Sequence, residues 1–378
     1  MLVARTLRLI ALPVVVVAAT ALFETRIREE MIDFVTWRQA VVHAIHGEPL
    51  YPTDAGHYQF KYLPAFALLM APFGLLNRDA AKLVWFATEI GLLAALLRWS
   101  ISALPARRLS QGVLLAFAVL LMAKFYAHEL LLGQTNLLLA VLLLGALIAI
   151  QAKRPVLAGA VAGAAVFVKP YALVLLPWLI VTQGWRAGVA TLAVVSAGLL
   201  LPAAVYGWNG NVDLLNGWLR TVTDSTAPLL LNNDNISVAA MWAKWLGPGP
   251  LAASLAWLTI AATVALVIAV LSRRRSVTAP EYLECALLML LVPLISPQGW
   301  DYVLLLATPA VVCIVDRWPG LPVAWRWGLA VALATMGLSM FDIMGRAAYG
   351  RFMAMSIISV CALSIAAGLA YVRRRGLA

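Results

Sequence analysis

Apolar windows of about 15 to 20 residues recur along the whole of this 378-residue chain, and that repetition limits its fold more than any motif does. About 20 apolar residues in a helix cross the roughly 30 Å hydrocarbon core of a bilayer. A chain built from such windows is therefore expected to be an all-α polytopic membrane protein, one domain over 1–378. Spans are expected near 7–23, 83–98, 111–131, 136–151, 155–168, 171–183, 187–206, 251–272, 282–295, 302–315, 327–343 and 353–372, about 12 in all. Composition agrees: 63% of residues are hydrophobic and 12% charged, with a mean hydropathy of +0.91. Soluble domains carry roughly 45–50% apolar and 25% charged residues. The first run follows a basic start and has no convincing small-residue cleavage site, so it reads as a signal anchor.

Lysines and arginines stay on the cytoplasmic side of a bilayer, so their positions orient the spans. On this map sixteen of the 28 Lys and Arg lie inside with three acids, Glu281, Glu284 and Asp316. The other twelve share the outer half with fourteen acids, and both termini are expected to be cytoplasmic. The formal charge of +11 comes from short clusters at span ends, which excludes a nucleic-acid-binding face. Cys285, Cys313 and Cys361 stand inside apolar runs without paired spacing, so neither disulfide nor metal site is supported. Residues 60–78, "FKYLPAFALLMAPFGLLNR", are apolar but hold Pro64 and Pro72. Counting them as a span would invert every later loop, so they are expected to form a re-entrant or interfacial helix in the first outer loop. "KPY" at 169–171 is expected as a tight outer turn, and short Pro-interrupted segments of this kind mark sites buried at the membrane face. Residues 207–250 read as a long outer loop. No internal repeat is visible.

The polar residues then collect outside. The first loop brings Asp33, His43, His46, Tyr51, His57, Tyr58 and Lys61, and the third and fourth spans bring Lys124, His128, Glu129, Gln134 and Asn136. Lys169, "LNNDNISV" and "SPQGWDY" complete the set. Ionisable groups beside hydrocarbon are expensive to hold and so are functional candidates. The inner loops hold little beyond arginine.

Seven ordered motifs run through these positions. They are "DF" at 33–34 with Trp37, "G-x-P-L-Y" at 47–51, "Y-x-P" at 62–64, "G-Q-x-N" at 133–136, "K-P" at 169–170, "N-x-S" at 235–237 and "SP-x-x-W" at 296–300. Together they resemble glycosyltransferase family 87, similar to polyprenyl-phosphate-mannose-dependent mannosyltransferases of the membrane C-type glycosyltransferase fold. The last motif departs from the family, with Asp301 and Tyr302 after Trp300 where a histidine is usual. The resemblance implies an inverting hexosyltransferase that moves a sugar, mannose being the expected one, from a polyprenyl-phosphate donor to a glycolipid or polysaccharide hydroxyl. The reaction would sit on the outer face of the plasma (inner) membrane, with Asp33 as general base. Lys169, Lys61, Gln134 and Asn136 are then the expected donor and phosphate ligands. Tyr51, Tyr62, His128, Asn235, Ser237, Trp300, Asp301 and Tyr302 are the expected substrate contacts. A transporter or flippase of a lipid-linked sugar, and a structural subunit with a degenerate site, are the alternatives.

Each residue also has a plainer explanation. Asp33 suits a helix N-cap, and Lys169 suits a snorkelling span end. Gln134 and Asn136 suit loose backbone groups at a helix turn. Lys124 and Glu129 suggest an internal ion pair, with His128 on the face of Lys124. His43 and His46 are three apart but have no third partner for a metal. Trp300 and Tyr302 suit an interfacial belt. No cofactor is expected, and the chain holds no G-x-G-x-x-G after a strand, so a nucleotide-sugar donor is not expected either.

Overall fold

The computed structural model describes residues 20–52 and 58–377. His57 and residues 1–19, most of the expected first span, lie outside them. Among the described residues the chain is helical throughout, and its one piece of extended pairing is an isolated antiparallel bridge between Asn235 and Trp300. The helices are α1 (Ile32–His46), α2 (Pro64–Leu69), α3 (Ala71–Leu75), α4 (Arg78–Ser102), α5 (Gln111–Leu132), α6 (Asn136–Gln151) and α7 (Pro155–Val168). They continue with α8 (Leu176–Gln183), α9 (Trp185–Leu200), α10 (Ala203–Thr226), α11 (Val238–Leu246), α12 (Pro250–Ser272) and α13 (Glu281–Ile295). The last are α14 (Thr308–Arg317), α15 (Val323–Leu338), α16 (Phe341–Met344), α17 (Arg346–Ala354) and α18 (Ile357–Arg374).

Among the described residues five segments are long and apolar enough to cross a membrane: α4, α5, α12 with its extension to Ser276, Asp301–Gly320, and α18. The pair α9 and α10 would make a sixth if taken as one span, but it bends by 90°. Four further apolar stretches, Asn136–Gln151, Pro155–Val168, Pro170–Gln183 and Val323–Leu338, are shorter. Sixteen residues at 1.5 Å each reach only about 24 Å, so these pieces rely on neighbours rather than on length to sit in an apolar slab. Residues 60–78 form two short helices, α2 and α3, broken at Met70, as the paired prolines imply.

The interval 207–250 is not a loop. Gly207, Gly210, Gly217 and the asparagines gave it a loop-like composition, yet α10 and α11 occupy most of it. Gly207 does break the helical geometry, with φ +68°, while Gly217 instead makes room for the ring of Tyr51, whose Cδ2 would stand 3.2 Å from an added Cβ. Trp218 Nε1 donates to Lys61 O (3.0 Å) and Tyr206 OH to Glu48 O (2.8 Å), so α10 is laid over the first loop.

Local chemistry explains the helix ends nearest the site. Asn77 accepts from Ala80 N (2.8 Å) to start α4, and Ser237 accepts from Ala240 N (3.1 Å) to start α11. Gly133 ends α5 at φ +65°, a left-handed geometry that glycine adopts freely. Gly159 and Gly163 let α7 meet α9 closely: an added Cβ on Gly159 would overlap Ala187 O, and Thr191 Oγ1 donates to Gly159 O (2.9 Å). Small residues four apart give this close backbone approach in membrane helices.

Candidate active site

The corner between α5 and α6 is the foundation. Trp37 of α1 and Trp85 of α4 both donate Nε1–H to Gly133 O, each at 3.2 Å. Phe34, Trp37, Phe66, Phe73 and Trp85 pack edge-on around this point, with Trp37 and Trp85 centroids 5.1 Å apart. A Cβ on Gly133 would come within 2.7 Å of Phe34 Cβ and 2.9 Å of Met31 Cε. On the other side Glu129 accepts from Asn136 Nδ2 (2.7 Å) and Leu137 N (3.0 Å), capping α6. The corner is therefore held from both directions, and Gln134 projects from it.

Gln134 is the hub. Its Nε2 donates to Asp33 Oδ2 (2.7 Å) and to Tyr302 OH (3.2 Å). Its Oε1 accepts from Lys169 Nζ (3.3 Å) and Tyr62 OH (3.3 Å). The acid expected as base and the lysine expected to hold phosphate, 136 positions apart in sequence, thus share one amide. Thr135 Oγ1 donates to Tyr62 OH (3.2 Å), and Lys169 Nζ lies 5.8 Å from the Tyr302 ring centroid. Lys61 donates to Gln298 Oε1 (2.9 Å), and Gln298 Nε2 donates to Ser225 Oγ (3.0 Å) and Thr226 Oγ1 (3.1 Å) at the end of α10.

Electrostatics tune the set. Burial raises Asp33 above the ordinary carboxylate range, against the lowering influence of the Gln134 hydrogen bond and the charges of Lys169, His128 and Lys61. Burial brings Lys61 down to about 8 despite the carboxylate of Asp33. It lowers Lys169 too, opposed by Glu129 and Asp33. Half-buried groups of opposite charge held this close are what a proton-transfer and anion-binding site needs.

A second polar cluster adjoins the first. Asp301, fully buried, pairs with Lys124 Nζ (3.6 Å) and His128 Nδ1 (3.2 Å). His128 meets the Tyr302 ring edge-on at 5.1 Å. Trp300 stacks on Tyr302 at 6.4 Å with planes 9° apart.

Several expectations change. Asp33 is not the N-cap: Met31 holds that position and the carboxylate turns to Gln134. Lys124 pairs with Asp301 rather than with Glu129, because residues five apart leave the same helix face. Asn136 lies behind the hub on Glu129. Tyr51 OH is taken by Tyr62 O (2.6 Å). Asn235 donates to Leu229 O (3.1 Å) and Pro297 O (3.3 Å) and accepts from Ser237 N (3.0 Å), while Ser237 caps α11. Asn235 thus ties the "DNISV" segment to "SPQGW", while Ser237 is buried at the start of α11. His43 turns to Pro49 O (3.2 Å) and His46 to Val42 O (2.8 Å). Among the described residues no group of three His, Cys, Asp or Glu is arranged to hold a metal. Gln298 and Thr135 were overlooked, although both stand inside motifs whose neighbours drew attention.

Among the described residues the chain is all-helical, with apolar helices of membrane-spanning length and an acid, an amide and an amine brought together at one helix corner, which places it in the class of helical membrane proteins. Residues 60–297 match glycosyltransferase family 87, and the chain belongs to that family. Membership implies a glycosyltransferase with donor and acceptor substrates. No curated protein and no solved structure matches it.

Proposed function

We propose that the protein is a polyprenyl-phosphate-sugar-dependent hexosyltransferase, of mannosyl type and C-type membrane fold, in which Asp33 is the general base. The observation that carries this reading is the single amide of Gln134 joining Asp33 to Lys169. In the proposed step an acceptor hydroxyl gives its proton to the Asp33 carboxylate as its oxygen bonds to the anomeric carbon. The bond from that carbon to the donor's phosphate oxygen breaks, the electron pair leaves with the lipid phosphate, and configuration inverts. Lys169 and Lys61 would receive the phosphate charge, since an ammonium is a compact point charge for it. Gln134 would keep base and cation at fixed separation, which supplies orientation. Tyr302, Trp300 and His128 offer stacking and polar edges for a sugar. The acceptor is a glycolipid or polysaccharide hydroxyl on the non-cytoplasmic side of the plasma membrane, with both termini cytoplasmic.

The test is to incubate membranes carrying the protein with radiolabelled polyprenyl-phosphate sugars and to identify the labelled product. Asp33→Asn should reduce transfer by roughly 10²–10⁴-fold, the scale of general-base catalysis, with the protein level in membranes unchanged. Undiminished transfer would remove Asp33 from the mechanism.

A further inference from the structure

The face of α1 turned away from Asp33 borders an open cavity of about 250 Å³, lined by Val35, Arg38, Gln39, Val42, His43 and Arg78. Arg38 is held by its Nε on Phe73 O (3.1 Å) and its Nη2 on Leu76 O (2.5 Å), carbonyls in and at the end of α3. Arg78 opens α4 and, among the described residues, makes no hydrogen bond or ion pair. The charge of Arg78 adds to burial in bringing Arg38 below its ordinary value, so the two guanidinia stand close enough to repel. Among the described residues no carboxylate lines the cavity. The neighbouring Asp79 is turned to Arg28 (2.8 Å), and Glu48 to the other ring nitrogen of His43 (3.7 Å). The end of α3 that receives Arg38 exposes Leu75 (76%), and the end of α2 exposes Leu69 (57%).

We infer that this cavity binds the phosphodiester of an anionic phospholipid of the surrounding bilayer, with Arg38 and Arg78 as its cationic ligands and exposed Leu75 against its acyl chains. Arginine matches phosphate oxygens in a fixed fork, and here one guanidinium is already oriented by two carbonyls. The N-terminus of the 25-residue α4 adds its partial positive charge at the same place. An exposed leucine next to paired cations suits an interfacial lipid and gives a free phosphate ion nothing. The sugar-carrying phosphate is a different ligand: five residues of helix turn Arg38 about 140° from Asp33, so a headgroup here faces away from the proposed base. The lipid instead fixes the outer side of the helix that carries Asp33.

Native mass spectrometry of the full-length protein in mild detergent tests this, with phosphatidylglycerol, phosphatidylcholine, undecaprenyl phosphate and inorganic phosphate offered separately. The unaltered protein should retain one phosphatidylglycerol, and the exposed substitution Arg78→Glu should cut that retention at least about fivefold, the effect of a single basic residue near an anionic lipid surface. Gln39→Glu, which sets a carboxylate on the exposed wall, should act in the same direction, and Arg186→Glu elsewhere on the surface should not. Thermal unfolding of each variant separates lost binding from lost fold. Equal phosphatidylglycerol retention by folded Arg78→Glu and unaltered protein would overturn the inference, as would an Arg78→Glu loss confined to undecaprenyl phosphate or free phosphate; undecaprenyl phosphate held equally by both proteins belongs to the donor site of the proposed function.

Discussion

Gln134 makes two charge-assisted hydrogen bonds, one to Asp33 and one from Lys169, and hydrogen bonds to charged groups are worth about 1.5–3 kcal/mol each. Gln134→Ala should therefore lower kcat by roughly tenfold to a hundredfold with little change in KM for the acceptor, read by initial rates. The pH dependence follows from two neighbours of that amide. As the proposed base Asp33 has to be ionised to accept a proton, and burial raises its pKa, so activity should fall as pH drops through a value above the usual aspartate range of about 3.9. As a proposed phosphate ligand Lys61 has to be protonated, and its pKa is brought down to about 8, so donor use should weaken as pH rises through about 8. Lys61→Arg keeps the charge and should move that alkaline limb upward in a kcat/KM profile for the lipid donor; an unmoved limb would assign it to another group. Asp33, Gln134 and Lys169 stood out as candidates in sequence, because acids, amides and lysines are rare in so apolar a chain. Their roles relative to one another were not, since the hydrogen bonds of an amide depend on what the fold brings to it.

At the scale of elements, the α5–α6 corner is the piece on which the site stands. Gly133→Ala would place a Cβ in a left-handed position, a penalty of about 1–2 kcal/mol, and would press it against Phe34 and Met31. The melting temperature in detergent should fall, and transfer should fall with it, because Gln134 is the next residue. Gly299 is similarly bound by its surroundings, as an added Cβ would overlap Pro293 O. That close approach is what allows Ile236 N to donate to Gly299 O (2.7 Å) and Asp301 N to Asp234 O (2.9 Å). The short paired strip explains why "N-x-S" and "SP-x-x-W" occur together: Asp234, Asn235 and Ile236 hold the segment in which Gln298 and Asp301 stand, and Ser237 starts the helix that follows. Sequence placed both motifs on the same side of the molecule, but read Asn235 and Ser237 as ligands. Hydrogen-bonding capacity is visible in a residue type, whereas its partner is decided by packing.

For the whole molecule, the charge asymmetry makes an orientation testable. In intact cells a membrane-impermeant maleimide should label Asn233→Cys without permeabilisation and Ser276→Cys only after it; the reverse pattern would invert the topology. The three natural cysteines are all buried and should contribute little background. Sequence by itself determined that the chain is helical and apolar over most of its length, that residues 60–78 are broken by proline, and that the rare polar residues gather in a few segments. Those properties are local, set by side-chain hydropathy and by the backbone limits of proline and glycine. Only the tertiary structure decided that α10 is a helix folded across the first loop at a 90° bend, that Lys124 answers Asp301, and that Asp33 and Lys169 meet on Gln134. Such pairings join residues far apart in the chain, and no periodicity or spacing along the sequence records which helix ends will lie side by side.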